Sequence, residues 1–200
     1  MPDRTDTPQA RRSSAHVQDA IVQATIQLIG EGGVAAVTHR AVADAAGVSL
    51  SSTTYHFATK SDIVEAALHR VITSEIERLQ QISAELVGVH DVPTLAAALA
   101  EWMEAQLTAE RNEVRTGYEL ALEADRSPGL QQVHAEWGEA TLGLGELALR
   151  RAGAADPVQD APLLVAFVEG LRLGEVSNAR PGVAARCRPL VERFLGLLIP

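Results

Sequence analysis

Cysteine occurs once in this 200-residue chain, as Cys187. That excludes an internal disulfide and any metal cluster built on cysteines. Long apolar runs are missing too, none exceeding Leu163–Val168. A membrane span needs about 20 such residues, so no bilayer crossing and no membrane partner are expected. Met1–Ser14 holds Arg4, Arg11 and Arg12 with no apolar stretch behind them, so no secretory signal is expected there. Aromatic residues make up only 4%. The apolar and charged fractions, 46% and 22%, are ordinary for globular chains and rule out wholesale disorder or a fibrous repeat. A soluble cytoplasmic protein is the expectation.

The net charge of −9 argues against indiscriminate nucleic-acid binding. Its distribution matters more. Residues 1–60 hold five basic and five acidic side chains, whereas residues 61–200 hold 12 basic and 21 acidic ones. A neutral head on an acidic body implies two parts with different partners.

Apolar periodicity predicts helices throughout. Val17, Ile21, Ala24 and Leu28 mark one face of a first helix, which Gly30, Gly32 and Gly33 stop. Thr38 can cap a short second helix, Ala46-Gly47-Val48 makes a tight turn, and Ser49 can cap a third. Thr59 and Asp62 have capping-box spacing and open a long fourth helix over 60–87, with Glu75 interrupting its apolar stripe. Pro93, Pro128, Pro157 and Pro181 stand near the starts of further segments, expected over 93–109, 111–125, 128–151, 157–178 and 182–198. No period-two alternation is sustained, so the fold expected is all-α.

Two short helices joined by a glycine turn between Thr38 and Lys60 have the pattern of a helix-turn-helix. Its second helix, Ser49 to His56, is nearly all short hydroxyl residues plus two rings, a set that suits phosphates, base edges and thymine methyls. A mere surface helix should use better helix formers. Arg40, Ser51, Ser52, Thr54 and Tyr55 are expected to face the groove, and Thr38, His56 and Lys60 the DNA backbone. His39 either joins one of these sets or is a solvated surface histidine. Arg4, Arg11 and Arg12 form either a minor-groove arm or an untethered tail.

Gly33-Val34-Ala35-Ala36-Val37-Thr38, Val42-Ala43, Ala46-Gly47-Val48-Ser49, Tyr55-His56-Phe57, Lys60 and Ile63 together resemble the DNA-binding region of TetR-family transcriptional regulators. The resemblance covers about residues 16–70; beyond it the chain is similar to the family only in length and helical pattern. It implies a DNA-binding domain over 15–60 after an arm at 1–14, and an effector-binding and dimerisation domain over 61–200. It implies a homodimer that releases operator DNA when a small molecule enters the C-terminal domain, with Phe57 in the core. One departure stands out: Thr53-Thr54 replaces the family's usual Leu-Tyr, so a phosphate contact is weakened or passed to Tyr55.

For dimerisation the resemblance points to the last two helices. There Ala166, Gly170 and Gly174 form a stripe of small residues, and Leu190, Phe194 and Leu197 an apolar one. For the effector it points to the helices after the fourth. Trp102, Met103 and Gln106 are neighbours on one turn, Tyr118 shares a face with Leu122, and Trp137 with Thr141. Large rings with a few polar atoms suit a small-molecule cavity, although aromatics at this spacing also serve as plain core. The fourth helix is the expected lever, rooted at Lys60 and touching the cavity between Leu79 and Leu86. Glu75 is either a polar group of that cavity or a solvated charge. With an acidic body, a neutral or cationic, largely apolar effector is expected.

Other chemistries fare worse. Gly143-Leu144-Gly145 lacks the preceding strand a phosphate loop needs. His134 and Glu136, two apart, lie on different helix faces. Cys187 sits between Arg186 and Arg188, which can lower a thiol pKa, but a small residue on a helix is the simpler reading. No catalytic machinery and no cofactor are expected. The alternative is an all-helical small-molecule-binding or enzymatic bundle in which 38–60 is only a corner.

Overall fold

The computed structural model describes residues 8–124, 128–178 and 180–199, without the side chains of 8–13, 85, 123, 124, 128–130 and 133. Arg4, and the side chains of Arg11 and Arg12, therefore lie outside the described residues. The first helix, α1 (Pro8–Gly32), ends where Gly33 takes φ +70°, a backbone conformation open to glycine and rarely adopted by other residues. A single 3₁₀ turn, Val34–Ala36, leads to α2 (His39–Ala46). Thr38 caps α2, its Oγ1 accepting from Ala41 N at 3.1 Å. Gly47 then turns the chain at φ +66°, and Ser49 caps α3 (Leu50–His56) by accepting from Ser52 N at 3.1 Å.

The capping box forms as its spacing predicts. Asp62 N donates to Thr59 Oγ1 at 3.2 Å and Thr59 N to Asp62 Oδ2 at 2.8 Å, at the start of α4 (Lys60–Glu85). A second box, formed by Asp91 and Thr94, opens α5 (Val92–Ala109). The Thr94 hydroxyl and N–H hold the Asp91 carboxyl below its ordinary range. The remaining helices are α6 (Arg111–Ala124), α7 (Pro128–Ala152), α8 (Pro157–Ser177) and α9 (Val183–Leu198). No strand occurs among the described residues.

The chain divides into two compact units. One comprises the described residues through Val71 together with Arg115–Gln131; the other comprises Ile72–Val114 and the described residues from Gln132 onward. In the first unit α1, α2 and α3 pack on one another around Ile21, Val37, Val42 and Ile63, all fully buried. Each such side chain contributes roughly 1.5–3 kcal/mol. The second half of α6 belongs here: Thr116 donates from Oγ1 to the Ile26 carbonyl of α1 at 3.0 Å, with both groups buried.

In the second unit α5 packs chiefly on α9, with α8 beside both. Leu95, Met103, Leu149, Val191 and Leu195 form its centre. Arg111 donates to the Glu175 and Val176 carbonyls at 3.0 and 2.5 Å, satisfying the end of α8. The Glu175 carboxylate, only 9% exposed, accepts from Arg186 Nε at 3.2 Å and from its Nη2. That pairing outweighs burial and holds the Glu175 carboxyl below its ordinary value of 4.5. A depressed folded-state pKa adds stability that is complete above the ordinary value and is lost as pH falls through the folded one. Glu175→Gln should therefore cost about 2 kcal/mol at neutral pH and progressively less in acid. Urea unfolding of both proteins across the carboxylate range measures this; a pH-independent gap would refute it.

Cys187 is 1% exposed. Burial pushes its thiol up, Glu175 pushes it further, and Arg186 pulls back too little. The flanking arginines thus do not make a reactive thiolate, and the residue is a small member of the core.

Candidate functional site

The recognition elements of the first unit begin with the two caps. Thr38 and Ser49 fix the starts of α2 and α3, and the turn at Gly47 joins them. Thr53 faces inward, fully buried, its hydroxyl donating to the Leu50 carbonyl at 2.8 Å. With Phe57, 6% exposed, it anchors α3 so that the opposite face points outward. On that outward face Tyr55 is 82% exposed, with Ser51 and Thr54 also exposed and Ser52 half-buried. Ser49 Oγ lies 2.8 Å from Ser51 Oγ and 2.7 Å from Ser52 Oγ, so the three hydroxyls form one chain of donors and acceptors. Arg40 is exposed on α2.

Some of the side chains expected to contact DNA are partly engaged already. Lys60 Nζ donates to the Val34 carbonyl at 2.7 Å, which leaves two ammonium protons. The Thr54 hydroxyl sits within reach of the Leu50 and Ser51 carbonyls, at 3.3 and 3.2 Å. His56 is half-buried and meets Tyr55 edge-on, ring centroids 5.2 Å apart. His39 is not a solvated surface histidine: it is half-buried, and its Nδ1 is enclosed.

Within the second unit lies a cavity of about 560 Å³, a volume suited to a drug-sized ligand. Leu79, Ile82 and Leu86 form one wall, Leu99 and Trp102 of α5 another, and Thr141, Leu144 and Gly145 of α7 a third. Leu164, Val165, Val168 and Glu169 of α8 close it. A Cβ on Gly145 would lie in ordinary contact with α8, 3.4 Å from Val165 Cγ2. Ionisable groups at the wall are Arg78, Glu101 and Glu169. Arg78 is paired with Glu75 at 2.6 Å and with Glu110, so Glu75 is neither a lining group nor a solvated charge. Trp102 Nε1–H is enclosed with no acceptor in reach.

Comparison with known proteins decides the family. Residues 21–67 match the model described as bacterial regulatory proteins, tetR family, and residues 90–197 match the tetracyclin repressor-like C-terminal domain. The chain belongs to the TetR family. No curated protein matches it. Among solved structures, the multidrug binding protein EbrR complexed with malachite green is 32% identical over 92% of this chain and 98% of that one, with a TM-score of 0.61. EbrR is also known complexed with ethidium and with proflavin. A TetR-family member from Streptomyces coelicolor A3 is 33% identical over 92% of this chain and 98% of that one, with a TM-score of 0.70. The protein thus has the fold of a DNA-binding TetR-family regulator with ligand-binding relatives. Among the described residues, no helix is long and apolar enough to cross a membrane.

Of the seven side chains expected around an effector, two line this cavity, Trp102 and Thr141. The other five lie away from its wall. Met103 is fully buried and Gln106 is 3% exposed, both turned into packing beside the cavity. Tyr118 belongs to the first unit. Leu122 is 76% exposed. Trp137 stacks obliquely on His134, centroids 5.5 Å apart, instead of lining the wall. Periodicity identifies which residues share a face but not which face the cavity takes. The aliphatic lining of α7 and α8 looks like ordinary core in the sequence.

On α8 and α9, Ala166, Gly170 and Gly174 are exposed, and a Cβ on Gly170 or Gly174 would meet nothing within 4 Å. Leu163, Leu173, Leu190 and Leu197 are exposed at 53%, 48%, 49% and 78%. Phe167 and Phe194 stack between these helices, rings 4.1 Å apart and nearly parallel. A face this apolar on two adjacent helices is unusual for a surface that stays in water.

Proposed function

We propose that this regulator is a repressor, a homodimer through α8 and α9 that leaves its operator when an aromatic organic cation enters the cavity. Carrying the effector class is the sharing of one mostly apolar wall by the Trp102 ring and the Glu101 and Glu169 carboxylates, the one cation there, Arg78, being already paired with Glu75 and Glu110. An indole face attracts cations, carboxylates add charge, and aliphatic walls supply affinity for a large hydrophobic body. EbrR, with its bound malachite green, supports the same class. Arg40, Ser51, Ser52, Thr54 and Tyr55 read the groove; Thr38, His56 and Lys60 hold phosphates. The two reading helices of the dimer then stand about 34–36 Å apart, one turn of duplex.

α4 carries Lys60 at one end and the cavity residues Leu79 and Ile82 at the other, so ligand in the cavity can bias the helix that leads into the DNA-binding head. Lowering operator affinity tenfold takes about 1.4 kcal/mol of differential ligand binding between the two states.

The test is retardation of the protein's own upstream DNA, followed by titration with malachite green. The dye should release the DNA, and a promoter–reporter fusion should be silenced by the protein and relieved by the dye. Trp102→Ala should weaken dye binding about tenfold and leave operator binding unaltered. Activation of the reporter, or dye binding unaffected by the loss of Trp102, would overturn the respective part.

A further inference from the structure

Arg172 projects from the middle of α8 and is 5% exposed. Its guanidinium carbon lies 4.7 Å from the centroid of the Trp102 ring. Nη1 donates to Glu169 Oε1 at 2.6 Å, and Nη2 donates to Gln106 Oε1 at 2.7 Å. Trp102 and Glu169 both line the cavity, whereas Arg172 and Gln106 do not. An indole face and a carboxylate are the two groups with which a protein recognises an organic cation. Here both already hold a cation supplied by the chain.

We propose that Arg172 is a resident cation that limits how strongly the cavity takes positively charged ligands, by occupying the Trp102–Glu169 pair from the protein side. The inference rests on the cavity being the effector site for organic cations and adds the residue that sets its charge preference. A cationic ligand stacked on Trp102 meets Arg172 as a like charge, its guanidinium carbon 4.7 Å from the ring centroid. It also meets a Glu169 whose charge is already compensated. Both effects weaken cation binding and leave binding of neutral aromatic molecules nearly untouched. A compact, localised charge feels the opposition more than one spread over several rings, so the site selects delocalised cations.

Arg172 cannot be replaced without consequence inside the protein. An aliphatic replacement takes the guanidinium away from Glu169 and from Gln106 Oε1, and a broken buried pair is costly. That vacancy is what an incoming cation would fill. Damage to packing loosens ligand binding, whereas loss of a competing cation tightens it, so the sign of the effect separates the two.

The experiment is direct titration of the DNA-free full-length protein with malachite green, with thermal melting recorded for every variant. Arg172→Met should bind the dye about tenfold more tightly than the wild type, and Arg172→Lys, which restores the charge, should return to near the wild-type value. Glu169→Gln, with Arg172 kept, should bind about tenfold more weakly, because an uncompensated guanidinium then faces the ring. Equal or weaker binding by Arg172→Met overturns the inference. Should Arg172→Met fail to fold, Glu169→Gln decides alone, and unchanged affinity overturns it. Dye binding by Arg172→Met but not by the wild type would support the resident cation while sinking the reading that the native cavity takes aromatic cations. No binding by any variant overturns both.

Discussion

Gly170→Leu should convert the protein to a monomer and lower its affinity for operator DNA by about a hundredfold, through loss of the second half-site. The reason is that nothing in the protomer opposes the new side chain. Gly170 is exposed, and a Cβ built there meets no atom within 4 Å. The substitution also favours the helix locally, since glycine in a helix interior is worth roughly 1 kcal/mol less than alanine. Melting of the isolated protomer should therefore be unharmed. What the leucine obstructs is a partner helix. Small residues four apart let two helices approach toward the near end of the usual 8–10 Å separation, and a branched side chain on the stripe holds them apart. The exposed Leu163, Leu173, Leu190 and Leu197 around it give such a partner apolar surface to cover. Light scattering on the wild type and the variant, with retardation on an operator and on a single half-site, measures both effects. A dimeric Gly170→Leu protein, or a wild type that is already a monomer, removes α8 and α9 as the interface.

How much of this was legible in the sequence follows from the kind of signal each feature carries. Helix ends were, because their causes are local. Thr38, Ser49 and the Thr59–Asp62 pair cap where their chemistry says they should, and Gly33 and Gly47 take positive φ at the predicted stops. The start of α1 was not: it begins at Pro8, well before the apolar periodicity that starts at Val17. The face of α3 was half legible. Its hydroxyl composition signals a reading helix, but that Thr53 is the inward residue depends on where Phe57 and α2 anchor it, which is a tertiary fact. The cavity was least legible. Trp102 and Glu169 of its wall, and Arg172 behind them, come from α5 and α8, about 70 residues apart in the chain. Nothing local marks Arg172 as buried; a lone arginine in a helix reads as a solvated charge. Only the packing of α8 against α5 puts a guanidinium on an indole.

The reading face of α3 carries the second large effect. An Arg40→Ala, Tyr55→Ala double variant should lose about a hundredfold in operator affinity, each contact being worth about 1–3 kcal/mol. Its stability should stay within about 0.5 kcal/mol of the wild type, as for other surface substitutions. Tyr55 permits so clean a separation because it is 82% exposed and touches little beyond the edge of the His56 ring, 5.2 Å away. A large ring held in water by an otherwise hydroxyl-rich helix gains nothing from folding, so its contribution belongs to binding. The two single variants should also differ from Lys60→Ala. Lys60 donates one proton to the Val34 carbonyl and has two left for a phosphate, so its loss should weaken all DNA sequences alike and flatten the salt dependence by about one unit of slope. Tyr55→Ala should alter preference among operator variants, because a ring in the groove meets base edges as well as backbone. Competition binding over a panel of single-base operator variants, repeated at two salt concentrations, resolves the two behaviours. Unchanged operator affinity in the double variant would place the DNA-reading surface elsewhere on the first unit. A uniform loss for Tyr55→Ala, with the salt slope reduced as for Lys60→Ala, would instead make the tyrosine a phosphate contact, taking over the role that Thr54 lacks the reach to fill.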